Sequence, residues 1–240
     1  MKLLAFETAT EACSVALWID GEVREEFELA PRRHAELALP WADALLAEAG
    51  VARSQLDAIA VGRGPGAFTG VRLAVAVAQG IALALDIPVV PVSTLATLAM
   101  LAPPGSQRIL AAIDARMGEI YLGAFAQSAD GLVTGLGEEI LMPPQQSIDW
   151  QRVAQCDAGQ AALQAWIGIG SGFAAGDGAL MASLGDMLIR SEANALPHAS
   201  DLARLAAAAY ERGETLSPER VEPAYLRDKV ALTLIEQRKR

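Results

Sequence analysis

The segment with the most chemical potential is Gly62-Arg63-Gly64-Pro65-Gly66-Ala67-Phe68-Thr69-Gly70. Glycines permit positive φ and close backbone approach, and a helix start presents free N–H groups, so such a loop can cradle an anion. The phosphate-loop pattern fails here because no lysine follows the glycines, and Ala67 and Thr69 stand where a dinucleotide fingerprint needs glycine. On spacing alone, a turn that lets a strand and a helix pack closely is favoured over a phosphate cradle. Glu7-Thr8-Ala9-Thr10 is the second candidate; its hydroxyls can donate to a phosphate or bond their own backbone. The candidate nucleotide-loop residues are therefore Thr8, Thr10, Gly64, Gly66 and Thr69.

Other chemistries find little support. The two histidines, His34 and His198, lie far apart, without the local spacing that zinc or iron ligands show, so no metal site is expected. Gly168-Ile169-Gly170-Ser171-Gly172 departs from the nucleophile-elbow pattern. Asp114, Arg116 and Glu119 serve as readily in structural ion pairs as in catalysis. Cys13 and Cys156 cannot build a disulfide framework. A net charge of −10, from 19 basic and 29 acidic residues, argues against unaided nucleic-acid binding. Arg238-Lys239-Arg240 reads as a solubility tail. The first ten residues lack a signal-peptide pattern, and the most apolar window, residues 73–85, is too short to cross a bilayer. These features lead to the expectation of a cytoplasmic chain with no membrane partner.

The elements that must position these residues follow from periodicity. Residues 2–7 form an apolar run; residues 14–19 alternate, Asp20-Gly21 signals a hairpin, and Val23, Phe27 and Leu29 continue the alternation. A helix is expected over residues 35–49, with Leu37, Trp41 and Leu45 on one stripe, a kink near Glu36 caused by Pro40 and a stop at Gly50. Then come a strand over 57–62, a helix over 70–85 capped by Thr69, a strand over 88–92, and a helix opened by Ser93 or Thr94. Antiparallel strands followed by crossover helices make a mixed sheet, the ribonuclease-H-like layout. Pro103-Pro104-Gly105 marks the boundary between lobes 1–102 and 103–240.

The second half restarts the pattern. It has strands over 108–114 and 119–126, an Asp130-Gly131 turn, a strand over 166–170 and a helix over 200–212. Residues 143–164 show no readable pattern. The fold expected is α/β, a duplicated ribonuclease-H-like (actin-like ATPase, ASKHA) fold with mixed sheets. Such a fold places a cleft between its halves and does not by itself assign chemistry.

The helix over 70–85 is apolar almost all round, with Arg72 and Gln79 on one narrow face and Gly70, Ala74, Ala78 and Ala82 in a line of small residues. A helix of this kind must be covered on nearly every side, either by its own fold or by a subunit contact. The candidate partner-interface residues are Leu37, Trp41, Gly70, Arg72, Ala74, Val75, Ala78 and Ala82. Ala78→Glu or Val75→Asp is expected to abolish pairing and leave the isolated chain folded.

The chain resembles the bacterial TsaB (YeaZ) family, accessory subunits of the machinery that makes threonylcarbamoyladenosine in tRNA. The resembling segments are residues 4–17, His34-Ala35-Glu36, residues 62–72, Val92-Ser93-Thr94-Leu95, Asp114-Ala115-Arg116, and the tail Val221-Glu222-Pro223-Ala224-Tyr225-Leu226-Arg227-Asp228. In the paralogous catalytic subunit TsaD, two metal-binding histidines stand where this chain has Thr94 and Leu98. The resemblance therefore implies a non-catalytic subunit with no metal, which binds TsaD through a helical bundle of the N-terminal halves, with the ATPase TsaE joining. It further implies self-association as a homodimer when TsaD is absent, contact with tRNA only through the complex, and no cofactor held tightly by this chain alone, with room for ATP or ADP at the subunit interface. Gly170-Ser171-Gly172 and Gly176-Asp177-Gly178 are loose echoes of the glycine-rich nucleotide segment of catalytic relatives.

Overall fold

The computed structural model describes residues 1–227; Asp228 and Arg238-Lys239-Arg240 lie outside the described residues. The first sheet holds β1 (Lys2–Glu7), β2 (Ala12–Ile19), β3 (Glu22–Leu29), β4 (Ala58–Gly62) and β5 (Val89–Val92), in the order β3-β2-β1-β4-β5. The three leading strands are antiparallel, and β4 and β5 join parallel. The second sheet holds β6 (Ile109–Arg116), β7 (Glu119–Gln127), β8 (Val133–Gly135), β10 (Trp166–Ile169) and β11 (Leu188–Glu192), with the short β9 (Ile140–Met142) paired to β7. Its order, β8-β7-β6-β10-β11, repeats that of the first sheet strand for strand, with the same antiparallel and parallel pairings. The fold is the duplicated ribonuclease-H-like one.

Alternation sets the two faces of the first sheet. Leu4, Phe6, Val15, Leu17, Ile59 and Val61 face α1 (His34–Ala49) and α2 (Phe68–Leu85). Leu3, Ala5, Ala16, Ala58 and Ala60 face the opposite way, onto α7 (Ala199–Glu211). In the second sheet, Leu110, Ala112, Ile120 and Leu122 pack on α4 (Trp150–Ala154), α5 (Ala158–Ala162) and α6 (Ala175–Leu184). The other face takes α3 (Thr94–Ala99). Each sheet is thus completed by a helix from the other half of the chain: α3 follows β5 and lies on the second sheet, and α7 follows β11 and lies on the first.

Several local expectations are revised. Ala67, not Thr69, is the N-cap of α2, and it makes no side-chain cap; Thr69 already lies in the first turn. Helix α2 has 18 residues and is long and apolar enough by composition to cross a bilayer, so the shorter window over 73–85 understated it. It nevertheless covers the sheet, with Gly70, Val71, Ala74, Val75, Ala78 and Ala82 buried. Residues 143–164, unreadable in sequence, hold α4 and α5, each of five residues with an aspartate cap.

Candidate functional site

The glycine loop closes on the β1–β2 hairpin. A Cβ on Gly66 would collide with the Ala9 carbonyl, and one on Gly70 with the Thr8 carbonyl. The Ala67 N–H donates to the Ala9 carbonyl at 2.7 Å, and the Thr8 hydroxyl donates to the Gly70 carbonyl at 2.7 Å. Glycine here serves close backbone packing, the alternative that spacing favoured. Of the five candidate loop residues, Thr10 and Gly66 line the cleft between the lobes; Thr8 and Gly64 are buried outside its lining, and Thr69 is exposed.

Beneath this loop lies a polar cluster that sequence reasoning missed. Glu7 is fully buried at the end of β1. Its carboxylate accepts from the Ala9 N–H at 2.8 Å and the Thr94 hydroxyl at 3.0 Å. Burial pushes its pKa up to about 7, against the lowering effect of those hydrogen bonds. A Cβ at Gly62 would strike this carboxylate, so the glycine leaves it room. Next to Thr94, the Ser93 hydroxyl donates to Glu139, whose pKa burial also raises. Ser93 also caps α3, accepting from Leu95 and Ala96. The signal that sequence offered is an acidic residue, Glu7, ending the apolar run over residues 2–7.

Thr94 and Leu98 stand on α3, both fully buried. The Thr94 hydroxyl is committed to Glu7, and Leu98 is packed in the core of the second sheet. Among the described residues, no three His, Cys, Asp or Glu side chains cluster as metal ligands.

The interlobe cleft is a cavity of about 820 Å³. Thr10, Glu11 and Gly66 line it from the first lobe, together with Arg32 and His34 at the entry to α1. Asp114, Arg116 and Met117 line it from the β6–β7 hairpin, Ser171 from the loop after β10, and residues 223–227 line it as well. The His34 ring nitrogen donates to the Thr10 carbonyl at 3.0 Å. Asp114 and Arg116 pair with each other at 2.8 Å, while the Asp114 N–H donates to the Ser171 hydroxyl.

The predicted interface residues divide into two groups. Gly70, Ala74, Val75, Ala78 and Ala82 are buried against their own sheet, because the small side chains let α2 approach it closely. Ala78→Glu and Val75→Asp would therefore destabilise the chain itself, so a loss of pairing in them would not report on a contact. Arg72 is exposed, and Leu37 and Trp41 are half-buried beside Val77 and Ile81. The uncovered face of α2 carries Phe68, Ala76, Gly80, Leu83 and Ala84 beside the polar Thr69 and Arg72, with Phe68 52% and Leu83 61% exposed. Leu39 on α1 adds a further exposed apolar side chain.

Comparison with known proteins agrees with this architecture. Residues 28–234 match the family model described as TsaD, tRNA N6-adenosine threonylcarbamoyltransferase. The Escherichia coli tRNA threonylcarbamoyladenosine biosynthesis protein TsaB is 40% identical over 96% of this chain and 96% of its own length. The Haemophilus influenzae protein of the same name is 36% identical over 96% and 95%. A solved structure described as YeaZ from Pseudomonas aeruginosa superposes with a TM-score of 0.81 at 44% identity, covering 94% of this chain and 99% of that one. A duplicated ribonuclease-H-like fold with this likeness along nearly its whole length belongs to the TsaB (YeaZ) family.

Proposed function

We propose that the chain is a non-catalytic accessory subunit of tRNA threonylcarbamoyladenosine biosynthesis, which docks through α1 and α2 onto the catalytic subunit TsaD, with TsaE joining the assembly. The single observation that carries this reading is the outward face of α2, a helix whose inner face is satisfied by its own sheet and whose exposed outer face is apolar apart from Thr69 and Arg72. Two further facts support it. The named relatives are biosynthesis proteins of that modification. At the two positions where the resemblance puts the catalytic paralogue's metal ligands stand Thr94, bonded to Glu7, and Leu98, packed in the core. Without TsaD the same face pairs with a second copy of the chain. ATP or ADP belongs at the subunit junction, and tRNA is reached through the complex, which functions in the cytoplasm.

The test is mass measurement of the chain alone and mixed with its TsaD. The mixture is expected to give a heteromer, and Leu83→Glu to weaken it by about 100-fold, because a buried unpaired charge costs a few kcal/mol. An undiminished heteromer with Leu83→Glu, or brisk ATP turnover by the chain unaided, would overturn the proposal; the second result would favour a stand-alone actin-like ATPase or kinase.

A further inference from the structure

Two motifs that the docking reading leaves unused meet in space. Arg227 lies 112 residues beyond Ala115. Its guanidinium donates to the Ala115 carbonyl at 3.1 Å, the Arg116 carbonyl at 3.3 Å and the Glu119 carboxylate at 2.7 Å. These acceptors belong to an unusual hairpin tip. The β6–β7 register slips between Asp114 and Arg116, and Arg116, Met117 and Gly118 have φ of 62°, 58° and 77° in succession. Left-handed backbone at two non-glycine residues persists only where the surroundings hold it.

The same tail segment is fastened at its other end to α2. The Gln79 amide donates to the carbonyls of Pro218 and Val221 at 2.9 and 3.1 Å. The Ala224 N–H donates to the Arg63 carbonyl at 2.8 Å, and Arg72 Nε donates to the Tyr225 hydroxyl at 2.9 Å. The Arg72 guanidinium also stacks 3.6 Å from the centre of the Phe68 ring. Arg72 and Gln79, which make a narrow polar stripe on an otherwise apolar helix, are therefore both spent on this segment. Between its two anchors the segment lines the cleft through residues 223–227.

We infer that residues 218–227 form a strap that couples α2 to the β6–β7 hairpin across the interlobe cleft, with Arg227 as the positioning residue that holds the hairpin tip. All three acceptors converge on one guanidinium nitrogen, Nη2, while Nη1 reaches the Met117 sulfur at 3.5 Å, so a single positive charge ties two carbonyls and a carboxylate of the hairpin together. The hairpin that lines the cleft and the helix that borders it then move together. This coupling stands whether or not α2 docks a partner.

Hydrogen exchange on the full-length chain tests it. Arg227→Met, which removes the charge and every donor, is expected to speed exchange by about tenfold in the peptide over residues 114–119 and also in the one over residues 71–76. Tyr225→Phe, which removes only the hydroxyl at the far anchor, is expected to speed both segments as well. The double variant is expected to be no faster than the faster single one, since a strap cut once is already slack. Acceleration confined to the hairpin, or effects of the two variants that add, would overturn the coupling. Leu83→Glu lies outside the strap and should leave exchange over residues 114–119 unchanged, so a failed docking reading and a failed strap give different results.

Discussion

Helices α2 and α7 cover opposite faces of one sheet, and both turn small residues toward it. Ala74, Ala78 and Ala82 of α2 face inward, as do Ala203, Ala206 and Ala207 of α7. They differ on the outside. Arg204 and Glu211 are the exposed side chains of α7, and its Leu205 packs against the core of the second sheet. The outside of α2 is Phe68, Ala76, Gly80, Leu83 and Ala84, with Thr69 and Arg72 as its polar members. One helix is finished by its own chain and by water; the other is not. Inward packing is therefore a poor guide to docking, and the outward face carries the information.

The largest expected effect contrasts neighbouring positions of α2. Ala78→Glu places a carboxylate at a fully buried site, costing about 3–5 kcal/mol, or roughly 10 °C in Tm. Ala76→Glu, on the exposed face, should shift stability by less than about 0.5 kcal/mol and still abolish TsaD binding. Equal melting curves for the two variants would erase the distinction between the faces.

A second effect probes the sheet between the two helices. Glu7 ionises near 7 when folded and at 4.5 when unfolded. The unfolded chain therefore loses its proton first, and the native state loses up to about 3 kcal/mol as pH rises from 4.5 to 7, with no further change above that. Glu7→Gln should remove this slope in pH-dependent melting; parallel curves for the two proteins would contradict the buried carboxyl.

A smaller effect is expected where α7 begins. His198 donates to Glu25 at 3.1 Å, and Glu25 also accepts from the Ser200 N–H and hydroxyl. The hydrogen bond to Glu25 raises the His198 pKa above its usual 6.5, against a lowering by burial. The resulting stability is fully present below pH 6.5 and is lost as pH rises through the raised value. His198→Gln should cost about 1 kcal/mol at pH 5.5 and little at pH 8.5. A penalty independent of pH would show that the imidazolium is not the source.

The sequence made most strands legible because alternation and the two Asp-Gly turns are local signals, and Ser93 or Thr94 marked the head of α3; the short β9 and the edge strand β11 carry no such signal. It did not distinguish which side of α2 meets the sheet, because an apolar helix face looks the same against its own core and against a partner. The exchange of α3 and α7 between sheets was hidden because it depends on contacts between residues far apart in the chain. Helices α4 and α5 are too short for a periodic pattern, and the first owes its place to Trp150 and Val153 packing near Trp166. The Glu7 cluster and the Arg227 anchor were invisible for the same reason: each joins side chains that only tertiary structure brings together.

Side-chain oxidation footprinting, with and without TsaD, tests the docking claim most directly. Phe68 and Leu83 should become protected when TsaD is added, while Leu163 and Ile189 on the second lobe, each more exposed than either, continue to react as in the free chain. Protection at Leu163 and Ile189 with Phe68 and Leu83 still reactive would contradict the account.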